Sequence, residues 1–124
     1  MGIFHVRIGV GHPFEGELTE VLALVDTGAT HTIIPDSLLK QVLHIEPIEE
    51  DIIEYADGST ERVEIGEARI GYDGRAYVCP VVFGPEDKYV LGAIALESFR
   101  LVVDPLRKEL VPANFVVRPF NRGL

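Results

Sequence analysis

Cysteine is almost missing from this chain: Cys79 is the only one in 124 residues, which rules out an intrachain disulfide framework. Set in the apolar run AYVCPVVF, it reads as a small buried thiol rather than a nucleophile. No stretch is long and apolar enough to span a bilayer. The opening MGIFHVRIGV lacks the basic, apolar and small-residue regions of a signal peptide, and Val6 stands where a myristoylation signal needs Ser or Thr. A cytoplasmic location is the default expectation. Basic residues are also scarce, 11 Lys and Arg against 20 Asp and Glu, a formal net charge of −9. That balance argues against phosphate backbones and anionic membrane surfaces, so neither nucleic acid nor membrane is expected as a partner. The four histidines, His5, His12, His31 and His44, lack metal-ligand spacing. Internal repeats, low-complexity segments and linkers are absent too.

What remains is globular: 47% apolar and 25% charged residues, with length for one domain over 1–124 and a modest core. Short strand-like runs are broken by Gly, Pro and Asp. Strands are expected over residues 3–10, 21–25 and 32–35, and a short helix over about residues 36–43 after Pro35. DIIEYADGSTERVEI reads as a hairpin with Asp57 and Gly58 as positive-φ turn residues, and ARIGYDGRAYVCPVVF as another turning at Asp73-Gly74. Pro80 in the second arm of the latter suggests an edge position or a bulge. KYVLG ends a strand on Gly92, AIALESF suits one or two helical turns, and RLVVDPLRKELVP closes a last hairpin around Asp104-Pro105. One more strand is expected over residues 115–118. The pattern predicts an all-β domain with two short helices.

Asp26 ends the apolar run Leu22-Ala23-Leu24-Val25. Its backbone has just left a buried strand, where a carboxylate needs hydrogen bonds or a partner. Thr27 brings a hydroxyl, and Gly28 lets backbone amides approach closely. Taken alone, an Asp-Thr-Gly triplet more often marks an aspartate capping a turn or a helix.

The wider segment LVDTGATHTIIP resembles the active-site segment of retroviral-like (retropepsin-like) aspartic proteases: an apolar run, Asp-Thr/Ser-Gly-Ala, then Ser or Thr. The resemblance continues downstream. EYADGSTERV turns 31 residues after Asp26, where that family carries its substrate-covering flap. YVLGAIALESF resembles its paired apolar residues and glycine followed by a short helix, and LVVDPLRKELVP the closing hairpin of prokaryotic members. These elements, in order, span about residues 4–112.

The resemblance implies an acid-protease β-barrel with a flap hairpin, and an endopeptidase acting on extended peptide or protein substrates without metal or cofactor. That chemistry needs two carboxylates sharing a proton. None of the other aspartates is followed by Thr-Gly or Ser-Gly, so a homodimer with Asp26 at its two-fold axis would supply the pair. By family role, Asp26 is the catalytic carboxylate and Thr27, Gly28 and Ala29 form its loop. Thr27 would lock onto the partner's loop, and Gly28 would offer its amide to the carboxylate. Tyr55, Ala56, Asp57, Gly58 and Ser59 form the flap tip, and Val90, Leu91 and Gly92 pack beneath the loop. The viral enzymes carry a second acidic residue where this chain reads Ala29-Thr30-His31, and an arginine where it has Ala93, so their bracing ion pairs are not expected here. Acidic residues before the flap (Glu46, Glu49, Glu50, Asp51, Glu54) fit a solvated face better than a trap for basic peptides. The alternative is the same fold as an inactive peptide-binding or dimerisation module.

Overall fold

Alternating apolar and polar residues build most of this molecule, whose computed structural model describes residues 3–113. Strand β1 (His5–Gly11) runs antiparallel to β2 (Thr19–Val25), Ile8 opposite Val21. After the loop carrying Asp26 come β3 (Thr32–Pro35) and a helical turn, Ser37–Val42. Strand β4 (Glu49–Glu54) pairs antiparallel with the long β5 (Thr60–Tyr72), which pairs in turn with β6 (Arg75–Gly84). The short β7 (Val90–Leu91), helix α1 (Ala93–Phe99) and the hairpin β8 (Leu101–Asp104) and β9 (Glu109–Pro112) complete the described chain. The strand expected over residues 115–118 lies outside the described residues.

Seven strands form one sheet in the order β1-β2-β7-β3-β6-β5-β4, and β1 also pairs with β5 through Gly9↔Gly71 and Val10↔Ile70. The sheet thus closes into a ring, with β4 attached outside the closure. Inside lies the main core, with Ile8, Val10, Ile34, Leu39, Ile70, Val81, Leu91 and Phe99 all nearly or fully buried. The Phe99 ring meets Tyr77 and Tyr72 edge-on at centroid distances of 4.9 and 6.2 Å, the geometry aromatic quadrupoles favour.

Local chemistry accounts for the details. At Asp73-Gly74 both residues have positive φ (52° and 78°) between the paired Tyr72 and Arg75, the mirror-image turn that matches strand twist. The Tyr55–Ser59 tip differs from expectation, since only Gly58 has positive φ, at 89°. Gly58 N–H donates to Tyr55 C=O (2.9 Å) and Tyr55 N–H to Ser59 C=O (2.8 Å). This is a three-residue loop, an ordinary turn followed by one left-handed glycine, so Asp57 needs no positive φ. The Ser37–Val42 turn is wound more widely than an α-helix: Leu43 N–H donates to Leu38 C=O five residues back, at 3.0 Å. That winding buries both Leu38 and Leu39. Pro80 pairs with Glu67 one residue before β3 joins β6 at Val81. Among the described residues β6 therefore has a strand neighbour on one side only at that point, where a missing N–H is tolerated.

Candidate active site

The loop after β2 is fixed from two sides. Leu24 and Val25 pair in parallel with Val90 and Leu91, and Asp26 N–H extends the ladder to Leu91 C=O at 3.1 Å. The chain then turns: Ala29 N–H donates to Asp26 C=O (3.1 Å), and Gly28 N–H to Asp26 Oδ1 (2.9 Å). The exposed carboxylate is thus oriented by the backbone of its own loop. From the other side, Ala93 N–H donates to Ala29 C=O (2.7 Å) and Ile94 N–H to Thr30 C=O (3.1 Å). Those amides open α1 and have no partner within the helix, so the loop carbonyls satisfy them. Gly92 N–H donates to Thr32 Oγ1 at 3.1 Å. Thr32 is the one buried polar side chain among the described residues, and this bond is the reason a hydroxyl can stay there.

Asp26 opens onto a cleft of about 460 Å³. Its floor is the outer side of a small second core, in which Ile33 and Ile53 pack on buried Val63, Ile65 and Val82. One wall is the loop, through Asp26, Gly28, Ala29, Thr30 and His31; the other is β4 and the start of the hairpin tip, residues 51–56; Lys88 and Val90 also line it. Of the residues singled out in the sequence, Asp26, Gly28, Ala29, Tyr55, Ala56 and Val90 are therefore brought to one cleft. Thr27 is exposed beside Asp26 but does not line it, and Asp57, Gly58 and Ser59 project at the exposed tip. Leu91 and Gly92 are buried behind the loop. Sequence reasoning missed Thr32, the isoleucines of the floor and Lys88. The hydroxyl directly before the apolar run Ile33-Ile34-Pro35 marks Thr32; Lys88 has no local signal.

Two polar contacts shape the hairpin beside the cleft. Tyr55 OH donates to the Glu61 carboxylate across the strands, and this bond, with some burial, raises the phenol above its ordinary pKa. Asp57 Oδ1 accepts from Ser59 Oγ (2.6 Å) and Ser59 N–H (2.8 Å), which lowers the carboxyl below its ordinary range. Cys79 is buried as its apolar setting suggests, and desolvation raises its thiol pKa, so it stays protonated and unreactive at neutral pH. Among the described residues no group of three or more His, Cys, Asp or Glu is placed to hold a metal ion. No helix among them is long and apolar enough to cross a membrane.

A mostly β chain with a ring-like sheet matches the fold of solved retroviral protease structures. The chain is similar to the EIAV protease complexed with the inhibitor HBY-793, at 14% identity and a TM-score of 0.63, over 79% of this chain and 88% of that one. It is similar also to the Simian Foamy Virus (mac) protease in solution, at 21% identity and a TM-score of 0.57, over 77% and 94%. The family model described as aspartyl protease matches residues 10–94. This chain belongs to the aspartyl protease family, a family of peptidases. No match was found among curated proteins.

Proposed function

We propose that the chain is an aspartic endopeptidase that hydrolyses extended peptides with the Asp26 carboxylates of two copies facing each other across a two-fold axis. The observation that carries this reading is the exposed Asp26 carboxylate, held by Gly28 N–H at 2.9 Å at the edge of an apolar-floored cleft. One ionised carboxylate takes a proton from water while the other, protonated, polarises the scissile carbonyl. A single chain offers one such group, and a self-complementary dimer supplies the other. Thr27, exposed beside Asp26, would bond the partner's loop. The β4–β5 hairpin acts as the flap, with Tyr55 to Ser59 at its tip, adding the peptide as a strand and shutting out water.

The test is turnover of a mixed peptide library by the native chain, by Asp26→Asn, and with a statine-type inhibitor. Asn offers the same acceptor to Gly28 N–H, so the fold should persist while cleavage disappears. Because the pair works only with one shared proton, turnover should fall at both extremes of pH. Cleavage that survives in Asp26→Asn, or a strict monomer by light scattering at high micromolar concentration, would overturn the reading.

A further inference from the structure

Lys88 is the one Lys or Arg among the described residues that lines the cleft. Four of the nine Lys and Arg among the described residues are already paired with carboxylates: Arg7 with Glu20, Lys40 with Glu64 and Asp36, Arg62 with Glu50, and Arg107 with Asp104 and Glu109. Lys88 has no carboxylate within 4.0 Å among the described residues, although the same loop carries Glu86 and Asp87. Glu86 is turned away and accepts Ser37 Oγ with both oxygens, at 2.9 and 2.8 Å. The loop itself is held by Lys88 N–H on Pro85 C=O at 3.3 Å. The β4 wall of the same cleft presents Asp51 and Glu54, and Asp51 Oδ1 already accepts Ile52 N–H at 2.7 Å.

Strand register gives Lys88 a position relative to Asp26. Val25 stands opposite Leu91, so Asp26 is level with Gly92. Lys88 is four residues earlier, up to ~13 Å away in extended backbone, or about four positions of an extended peptide. Between them lie Ile33 and Val90, paired with each other. A peptide covering that apolar stretch would exclude water from around the ammonium and strengthen its attraction for an anion.

We infer that Lys88 is a specificity-determining residue that selects an acidic side chain on the bound peptide, within about four positions of the bond placed over Asp26. This rests on the peptidase reading. An aliphatic residue over Ile33 and Val90, flanked by Glu or Asp toward Lys88, is the substrate class it defines.

The experiment walks Glu, Gln or Lys through successive positions of one cleavable peptide and measures kcat/KM. In parallel, binding of the matching reduced-amide peptides is measured by fluorescence anisotropy. At one position Glu should exceed Gln by about fivefold, the factor for an ion pair at the upper end of the surface range. Lys88→Gln should bring that ratio to about one, and Lys88→Glu should turn the preference toward Lys. Equal use of Glu and Gln at every position, or a Glu preference that survives Lys88→Gln, overturns the inference. So does an equal loss for all peptides in Lys88→Gln with the ratio kept, which would assign Lys88 to Glu54 or Asp51 instead. Glu-dependent binding without any cleavage supports Lys88 and sinks the peptidase reading. Cleavage without Glu dependence does the reverse.

Discussion

A Cβ added to Gly92 would stand 2.5 Å from the carbonyl oxygen of His31 and 2.8 Å from that of Ala29. The backbone at Gly92 is ordinary extended chain, with φ −100° and ψ −177°. The glycine is therefore there for room and not for torsional freedom. Gly92→Ala should push the Asp26 loop off its support and cost about 1–3 kcal/mol, as overpacking does, read as a lowered Tm. Thr32→Val keeps the shape but removes the acceptor of Gly92 N–H, and should cost about 1–3 kcal/mol for the orphaned donor. The two variants share one contact, so their effects should add poorly in the double mutant.

At Gly58 the situation is reversed. Its φ is +89°, and nothing lies within 4 Å of where a Cβ would be. Gly58→Ala should therefore meet only a torsional penalty, about 1–2 kcal/mol confined to the hairpin. Gly58→Val should lose more, because a β-branched residue resists positive φ. Amide chemical shifts of residues 49–65 would register both, and unchanged shifts in the Val variant would contradict the turn geometry.

The hairpin should also respond to pH at both ends. The Asp57 carboxyl is lowered by its bonds from Ser59. Its contribution to tip order is present above the ordinary aspartate pKa and is lost as pH falls through the lowered value. Tyr55 is raised by its bond to Glu61, so that contribution is present below the ordinary tyrosine pKa and lost as pH rises through the raised value. An NMR titration should show tip resonances moving at both of these limits. Ser59→Ala should move the acid limit up toward the ordinary range, and Glu61→Gln the alkaline limit down.

Cys79 gives a check on the core. Its thiol is buried and its pKa raised by desolvation, so a thiol reagent should fail to label the native protein at neutral pH and label it fully in denaturant. Rapid native labelling would mean that β6 opens far more readily than its place in the ring implies.

How much was legible in the sequence depended on the range of the interaction concerned. The Asp73-Gly74 turn and the extent of β3 follow from residues within a few positions, and the structure has them where the sequence puts them. Asp57-Gly58 was legible as a turn, yet its loop length depends on how β4 and β5 register, and that leaves only Gly58 left-handed. The wide winding over Ser37–Val42 was not legible, since it follows from Leu38 and Leu39 both reaching a core assembled from distant strands. Within the site, the Asp26 loop announces itself through its triplet. Thr32 makes its one bond to a residue 60 positions away, and Lys88 joins the cleft through the placement of β7. Nothing near either in the chain states those contacts.

The ring closure of β1 on β5 divides the sheet into two kinetic populations of amides. Opening a ring strand breaks pairing on both sides and exposes the main core, whereas β4 is bonded to β5 alone and is mostly exposed along its length. Amides of residues 49–54 can therefore exchange with solvent deuterium through a local opening that leaves the ring intact. Those of Ile8, Ala23 and Val81 would wait for an opening close to global unfolding. The cleft wall that β4 forms is thus the part of the sheet that can move at least expense to the rest, and the Asp26 loop sits on the side that cannot.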